Sequence, residues 1–95
     1  MNKVLSLIGL AYRAKKICLG EECLHDMKKI KYLFIAADAS EKTKERYLKK
    51  CRFYGIDYCM EFAAQELSAA LGRKRVKIVG ITDEGFRNSI MKSLV

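Results

Sequence analysis

The sequence predicts a single α/β domain built as a three-layer α/β/α sandwich, and three observations support this fold class. Residues 32–37 and 76–82 are nearly continuous apolar runs of strand length, typical of central strands covered on both faces. Segments with the i, i+3, i+4 spacing of helices alternate with these runs and with two shorter strand candidates. The 95 residues include no proline and no linker-like tract, so we expect one domain over residues 1–95.

The first third of the chain contains two predicted helices around a short strand. Apolar residues at 4–11 have helical spacing, and Gly9 among them predicts a close approach to a neighbouring element. Residues 17–19 form a short apolar run that we predict to be a strand ending at Gly20. A second helix is predicted to begin there and to continue to residue 30.

The rest of the chain is predicted to alternate between helix and strand. A third helix ends at Gly55, with Asp38 and Ser40 as candidate N-caps and Glu45 placed one turn from Lys49 to pair with it. The remaining elements are a short strand at 57–62, a helix at 63–71, an exposed basic loop at 73–75, a strand at 76–82 and a last helix at 83–94.

The charge balance narrows the classes of partner. Lysine and arginine number 19 against 11 acids, which gives a net charge of +8 and a pI near 9.5. Such an excess of cations disfavours self-association and favours a polyanion, so we expect a monomer that binds nucleic acid, with an anionic membrane surface as the weaker alternative. No apolar run approaches the roughly 20 residues that span a bilayer, and the run at 4–10 is too short for a signal peptide. We therefore predict a cytoplasmic protein with no membrane partner.

Little in the sequence indicates catalysis or a cofactor. Cys18, Cys23, Cys51 and Cys59 include no C-x-x-C pair, so we expect buried free thiols and no metal site. The phosphate-binding patterns G-x-G-x-x-G and G-x-x-x-x-G-K do not occur. His25 lies two residues from Cys23, a spacing that places the two on different sides of a helix. We predict no enzymatic activity, no cofactor and no small-molecule substrate.

Residues 15–25 are open to a structural and a functional interpretation. Glu21 and Glu22 follow Gly20 in the first turn of a predicted helix, where free N–H groups stabilise acids. Taken alone, the stretch favours this structural role. The functional alternative is that the turn, next to two lysines, receives an RNA backbone while one acid accepts hydrogen bonds from base edges.

Four blocks of sequence resemble one known family. They are LIGLAYRAKKI at 7–17, GEE at 20–22, IAADAS at 35–40 and VGITDEGF at 79–86. In order and spacing they resemble the kink-turn-binding ribosomal protein family (archaeal and eukaryotic large-subunit type), in particular its bacterial YlxQ-like branch, over residues 4–94. The resemblance implies a four-stranded mixed sheet within the sandwich and a ribosome-associated, RNA-binding role.

The resemblance also implies which residues contact RNA. In the family, the turn that enters the second helix carries glycine, asparagine, glutamate and, three residues on, lysine, which contact the sheared G·A pairs of a kink-turn. Here Gly20 and Glu22 match, whereas Glu21 replaces the asparagine and His25 replaces the lysine. The loop before the last strand is largely apolar in kink-turn binders and is basic here. We expect the flanking cations to gather beside the Gly20 turn. Together with the turn residues they give the predicted RNA-binding residues, which are Lys15, Lys16, Gly20, Glu21, Glu22, His25, Lys28, Arg73, Lys74 and Arg75.

The two replacements predict altered specificity. A carboxylate in place of an amide loses two hydrogen-bond donors and repels phosphate, and a mostly neutral histidine removes a phosphate contact. The basic loop restores affinity through backbone charge, which carries no sequence information. We therefore predict binding to structured RNA with reduced or altered kink-turn specificity.

Two other functions stay open at this point. The chain could be a protein-interaction module in ribosome assembly or transcription–translation coupling, with its charge only keeping it near RNA. An enzyme that uses Cys23 or Asp38 is a third interpretation, which no constellation of catalytic residues in the sequence supports.

Overall fold

The computed structural model describes residues 2–94. The elements in chain order are α1 (Lys3–Arg13), β1 (Ile17–Leu19), α2 (Glu22–His25), a 3₁₀ turn (Met27–Lys29), β2 (Tyr32–Ile35), α3 (Glu41–Tyr54), β3 (Asp57–Cys59), α4 (Ala64–Leu71), β4 (Ile78–Ile81) and α5 (Glu84–Leu94). The strands form one mixed sheet of four strands in the order β1-β4-β2-β3, with β2 and β3 parallel and the other pairs antiparallel. One layer of helices contains α1, α4 and α5, and the other contains α2 and α3. The predicted α/β/α sandwich is therefore confirmed.

The two central strands form the middle of the core. Every residue of β2 and β4 is buried, as their continuous apolar runs predict. Gly80 in β4 faces the Cys18 side chain of β1 and the Cys23 side chain of α2, because a Cβ atom added there would lie 2.9 Å from the Cys18 sulfur and 3.1 Å from the Cys23 sulfur. Sheet and helix thus pack too closely at this position to admit a methyl group.

Gly9 of α1 lies close to α4, and this contact is the close approach to a neighbouring element that the sequence predicts. A Cβ atom on Gly9 would lie 2.9 Å from the carbonyl oxygen of Ala70, a backbone atom with little freedom to move. At its start, α1 is capped by Asn2, whose side-chain oxygen accepts the N–H of Val4 at 2.8 Å. This amino-terminal segment is therefore part of the folded domain. No helix within residues 2–94 is long and apolar enough to cross a membrane.

Both ends of α3 agree with the sequence, whereas one candidate cap belongs to another helix. Ser40 accepts the N–H of Thr43 at 3.2 Å, and Gly55 ends the helix with φ of +66°. Asp38 does not cap α3: its carboxylate accepts the N–H of Ala64, at the start of α4, at 2.8 Å. This hydrogen bond lowers the pKa of Asp38.

The second helix is much shorter than predicted. α2 contains four residues, and a 3₁₀ turn replaces the rest. Asp26 separates them with φ of −130° and ψ of 37°, outside the helical region, and aspartate is among the weaker helix formers. The break keeps Met27 and Ile30 buried while the N–H of Lys31 reaches the carbonyl oxygen of Ile81 at 2.7 Å.

Three strands are also shorter than predicted, and the first of them, β2, ends at Ile35, two residues before the end of its apolar run. β3 ends at Cys59 because it pairs only with β2, which itself ends after one more residue. After β3, the segment that follows β2 and the segment that follows β3 are joined by a hydrogen bond from the Ala37 N–H to the carbonyl oxygen of Phe62. Val76 lies outside β4 because its N–H donates to the Ser68 hydroxyl of α4 at 2.8 Å, and not to the sheet.

Candidate nucleic-acid interface

Gly20 forms a tight turn between β1 and α2. Its φ of +56° lies in the left-handed region that glycine adopts most readily, and an added Cβ would meet no atom of residues 2–94 within 4 Å beyond its two chain neighbours. The N–H of Gly20 donates to the carbonyl oxygen of Ile78 at 3.1 Å, and its carbonyl oxygen accepts the hydroxyl of Tyr47 at 3.1 Å. Burial raises the pKa of Tyr47 to about 12, so this hydroxyl remains a protonated donor at neutral pH. The turn is therefore fixed from both β4 and α3.

The sheet places the basic loop beside this turn. β1 and β4 are antiparallel and Leu19 pairs with Val79, so the end of β1 meets the start of β4. Residues 73–75 precede β4 and border the same shallow depression as Gly20 and Glu22. We call this surface the Gly20 interface; it contains Gly20, Glu21, Glu22, Arg46, Arg73, Lys74, Arg75 and Lys77. Two segments more than fifty residues apart in the chain thus form one surface.

Two cations of the Gly20 interface were not predicted from the sequence. Arg46 of α3 and Lys77 border a second depression next to Gly20, on the side where Tyr47 supports the turn. The Arg46 guanidinium lies 4.0 Å from the Glu21 carboxylate, with 59% and 82% of the two side chains exposed, so water weakens this pair. Lys77 interrupts the apolar run at 76–82, and this break in the pattern could have indicated that its side chain is exposed. Nothing in the spacing of Arg46 indicates that α3 meets the turn.

The basic loop is attached to the helices behind it. The Arg73 guanidinium donates to the hydroxyl of Tyr12 at 2.9 Å, a hydrogen bond that raises the pKa of Arg73. At the other end, the Val76 N–H is bound to Ser68. Between them Arg75 has φ of +58°, a conformation that costs a non-glycine residue about 1 kcal/mol or more. The loop is therefore held in a defined, strained shape.

A pair of thiols joins the two sides of the turn. The sulfur atoms of Cys18 in β1 and Cys23 in α2 are 3.1 Å apart, and the Cys23 thiol also donates to the carbonyl oxygen of Cys18 at 3.3 Å. The neighbouring Cys23 thiol lowers the pKa of Cys18, and the same contact together with burial raises the pKa of Cys23. The prediction of buried free thiols is confirmed for Cys23, Cys51 and Cys59, whereas Cys18 is partly exposed. Within residues 2–94 no cluster of three or more potential ligands is placed to hold a metal ion.

The predicted basic residues do not gather in one cluster. Lys15 and Lys16 lie at the end of β1 opposite to Gly20, where the carbonyl oxygen of Lys16 accepts the N–H of Thr82 at 2.9 Å. The reason is that β1 separates them from the turn. His25 and Lys28 lie farther along α2 and the 3₁₀ turn, and within residues 2–94 their side chains make no ion pair or hydrogen bond to the turn. The RNA-binding role of all ten residues stays a prediction.

Neither acid of the turn acts as a side-chain cap. Glu21 occupies the N-cap position of α2 in a helical conformation and makes no capping hydrogen bond, while Glu22 lies in the first turn. A four-residue helix also has only a small dipole, because few peptide units are aligned. The positive potential at the Gly20 interface therefore comes from its side chains.

The fold and the sequence identify the class of protein. Residues 2–91 match the model of the ribosomal protein L7Ae/L30e/S12e/Gadd45 family, and the chain belongs to this family.

Two curated relatives identify the branch of the family to which the chain is similar. A protein of Enterococcus faecium named RNA-binding protein YlxQ is 40% identical over 88 residues, which cover 90% of this chain and 84% of the relative. A protein of the same name from Bacillus subtilis (strain 168) is 31% identical over 93 residues, covering 93% and 91%. The predicted YlxQ-like branch is confirmed. Neither name is that of an enzyme, which agrees with the prediction of a non-catalytic protein.

Solved structures confirm the fold. A protein of unknown function from Bacillus halodurans C superposes with a TM-score of 0.89 at 30% identity, covering 99% of this chain and 98% of that one. The Giardia lamblia 15.5kD RNA binding protein superposes with a TM-score of 0.78 at 20% identity, covering 95% and 80%. At that identity the second likeness concerns the fold alone. The mixed four-stranded sheet that the sequence resemblance implies is confirmed.

Proposed function

We propose that this chain is a cytoplasmic, ribosome-associated protein that binds structured RNA at the Gly20 interface. The observation that carries the proposal is the antiparallel pairing of β1 with β4, which sets the Gly20 turn beside the basic loop. Membership of the family and the names of the two curated relatives support the choice of RNA over other polyanions.

The mechanism is recognition of RNA shape by a rigid surface. Arg46, Lys77 and the loop at 73–75 neutralise phosphates, which supplies affinity that depends strongly on salt. The carboxylates of Glu21 and Glu22 accept hydrogen bonds from amino groups on exposed base edges. Because Tyr47 and β4 already hold the Gly20 turn, RNA binding does not have to order it.

Kink-turn specificity is reduced in this proposal. Glu21 stands where the family resemblance implies an amide, and a carboxylate has no donor for a base. Its ion pair with Arg46 is long, at 4.0 Å, and the side chain is 82% exposed, so the carboxylate stays hydrated and repels phosphate. The cations of the loop bind the backbone of kinked and straight RNA alike.

A matched pair of variants tests whether RNA binds at this interface. Lys74→Gln with Arg75→Gln removes two charges from it, and Lys3→Gln with Lys92→Gln removes two from the opposite layer of helices. We expect the first pair alone to lower the slope of log affinity against log salt by about 1.5, since each lost phosphate contact lowers it by about 0.7–0.9. Circular dichroism and thermal unfolding monitor the fold of both variants. Equal effects of the two pairs would show that net charge, and not this surface, binds RNA.

A second experiment tests specificity. The affinities for a kink-turn RNA and for an unkinked duplex of equal length are compared over a series of salt concentrations. We expect similar affinities and steep salt slopes for both, and a gain in kink-turn preference when Glu21→Asn is combined with His25→Lys. Strong kink-turn preference of the parent chain would contradict the proposed effect of these residues. A parent chain that binds neither RNA at low salt would favour the protein-interaction module.

A further inference from the structure

The outer face of α3 carries a row of cations that ends in an aromatic ring. Lys42, Arg46, Lys49 and Phe53 are spaced at i, i+4, i+7 and i+11, which places them on one side of the helix. Tyr47 and the other buried positions of α3 face the sheet instead. The row begins beside the Gly20 interface, to which Arg46 belongs, and leads away from it.

Most of these cations have no acidic partner. α3 carries six lysines and arginines and two glutamates. Within residues 2–94, the ion pairs of this helix are Lys44 with Glu41 and Arg46 with Glu21. The predicted pair of Glu45 with Lys49 is not formed, and six cations against two glutamates leave α3 with an excess of positive charge.

Phe53 is the most exposed large apolar side chain of the described chain. Its side chain is 81% exposed, compared with 37% for its neighbour Tyr54. The two rings are 4.9 Å apart between centroids and inclined at 80°, so Tyr54 supports Phe53 edge to face. A supported, open aromatic ring among cations matches the platform on which proteins stack unpaired bases.

We propose that the outer face of α3 is a second RNA-binding surface, where an unpaired base stacks on Phe53 while Lys49 and Lys50, which precede Phe53 by four and three residues, neutralise the adjoining phosphates. Two helical turns, about 10 Å, separate Arg46 from Phe53, so a single strand leaving the Gly20 interface reaches the ring along the helix. The inference rests on the proposed function, because the folded part of the same RNA is bound at the Gly20 interface. The unbalanced positive charge of α3 favours RNA over a second copy of this chain, which would bring like charges together.

The experiment uses one kink-turn RNA in two forms, with and without a single-stranded tail of about eight uridines, placed at either end. Fluorescence anisotropy gives the affinity of the full chain for each form. We expect the tail to tighten binding by the parent, and Phe53→Ala to lose about fivefold or more of that gain, the effect of removing one base–aromatic stack. Phe53→Trp retains the gain, and Lys49→Gln with Lys50→Gln reduces the salt slope for the tailed RNA only.

The controls separate this inference from the proposed function. Leu10→Ala removes a side chain that is 49% exposed in the opposite layer, and it should leave both affinities unchanged. Thermal unfolding checks that Phe53→Ala keeps its fold, as expected for so exposed a residue. A tail that adds no affinity, or an unchanged gain in Phe53→Ala, would overturn the inference while the untailed RNA still binds. A monomer–dimer equilibrium that Phe53→Ala abolishes would also overturn it, whereas loss of binding to both RNAs by the parent would refute the proposed function.

Discussion

Replacing Gly20 with alanine tests what the turn requires of its backbone. With φ of +56°, residue 20 lies in the left-handed region, where an L-residue with a Cβ pays about 1–2 kcal/mol. Apart from its chain neighbours, no atom of the described residues lies within 4 Å of a Cβ at this position, so no tertiary clash adds to that strain. We expect Gly20→Ala to lower the free energy of unfolding by about 1–2 kcal/mol, measured by urea denaturation.

Gly55→Ala is the matched control. Gly55 has φ of +66° and likewise no atom within 4 Å of an added Cβ, but it ends α3 and lies outside the Gly20 interface. The two variants should therefore lose the same stability. Only Gly20→Ala should weaken RNA binding, because relief of its strain rotates peptide groups that are hydrogen-bonded to Ile78 and Tyr47.

The RNA assay uses the untailed kink-turn RNA at one fixed salt concentration. Gly20→Asn should recover part of the stability and of the affinity, because asparagine tolerates the left-handed region better than alanine does. Equal RNA affinities of Gly20→Ala and Gly55→Ala would refute the role of the turn. A stability loss in Gly20→Ala several times that in Gly55→Ala would refute the argument that φ alone demands glycine.

Four further predictions concern stability. Gly80→Ala should lower the free energy of unfolding by about 1–3 kcal/mol in urea, because its methyl carbon would lie 2.9 Å from the Cys18 sulfur. Tyr47→Phe should lower it by about 1 kcal/mol through the lost hydrogen bond to the turn, with backbone NMR shifts confined to that region as the check. Ser40→Ala should lower it by about 1 kcal/mol through loss of the α3 cap, and an unchanged unfolding midpoint would contradict this. Burial raises the pKa of Tyr32 and Tyr47 from 10.0 to about 12, so the unfolded chain loses these protons at lower pH than the folded chain. The free energy of unfolding should therefore fall as pH rises from about 10 to 12. Phenolate absorbance and unfolding are measured together, and constant stability over that range would contradict the prediction.

Several signals confined to one element predict the observed structure, although the helical pattern after Gly20 does not. The apolar runs at 32–37 and 76–82 contain the two central strands, Tyr32–Ile35 and Ile78–Ile81, because a strand buried on both faces needs no polar alternation. Gly55 ends its helix in the left-handed conformation because glycine adopts it with least strain. Gly9 approaches α4, although its spacing could not say which element it would meet.

Contacts between distant segments were not predictable from spacing. Asp38 caps a helix that begins twenty-six residues later, and Arg46 reaches the Gly20 turn only because α3 crosses that end of the sheet. Lys16 was expected near Gly20 since the two are close in sequence, but a strand between them holds them apart. Periodicity gives the buried side of an element, whereas the strand order decides what that side meets.

The register of β1 against β4 has a consequence for how this domain can diversify. Because Leu19 pairs with Val79, the sheet itself fixes the distance between the Gly20 turn and the basic loop at 73–75. Residues 73–75 can then be exchanged for other sequences without displacing the opposing half of the surface. Grafting a loop from a relative should accordingly change the strength of RNA binding while the turn keeps its geometry.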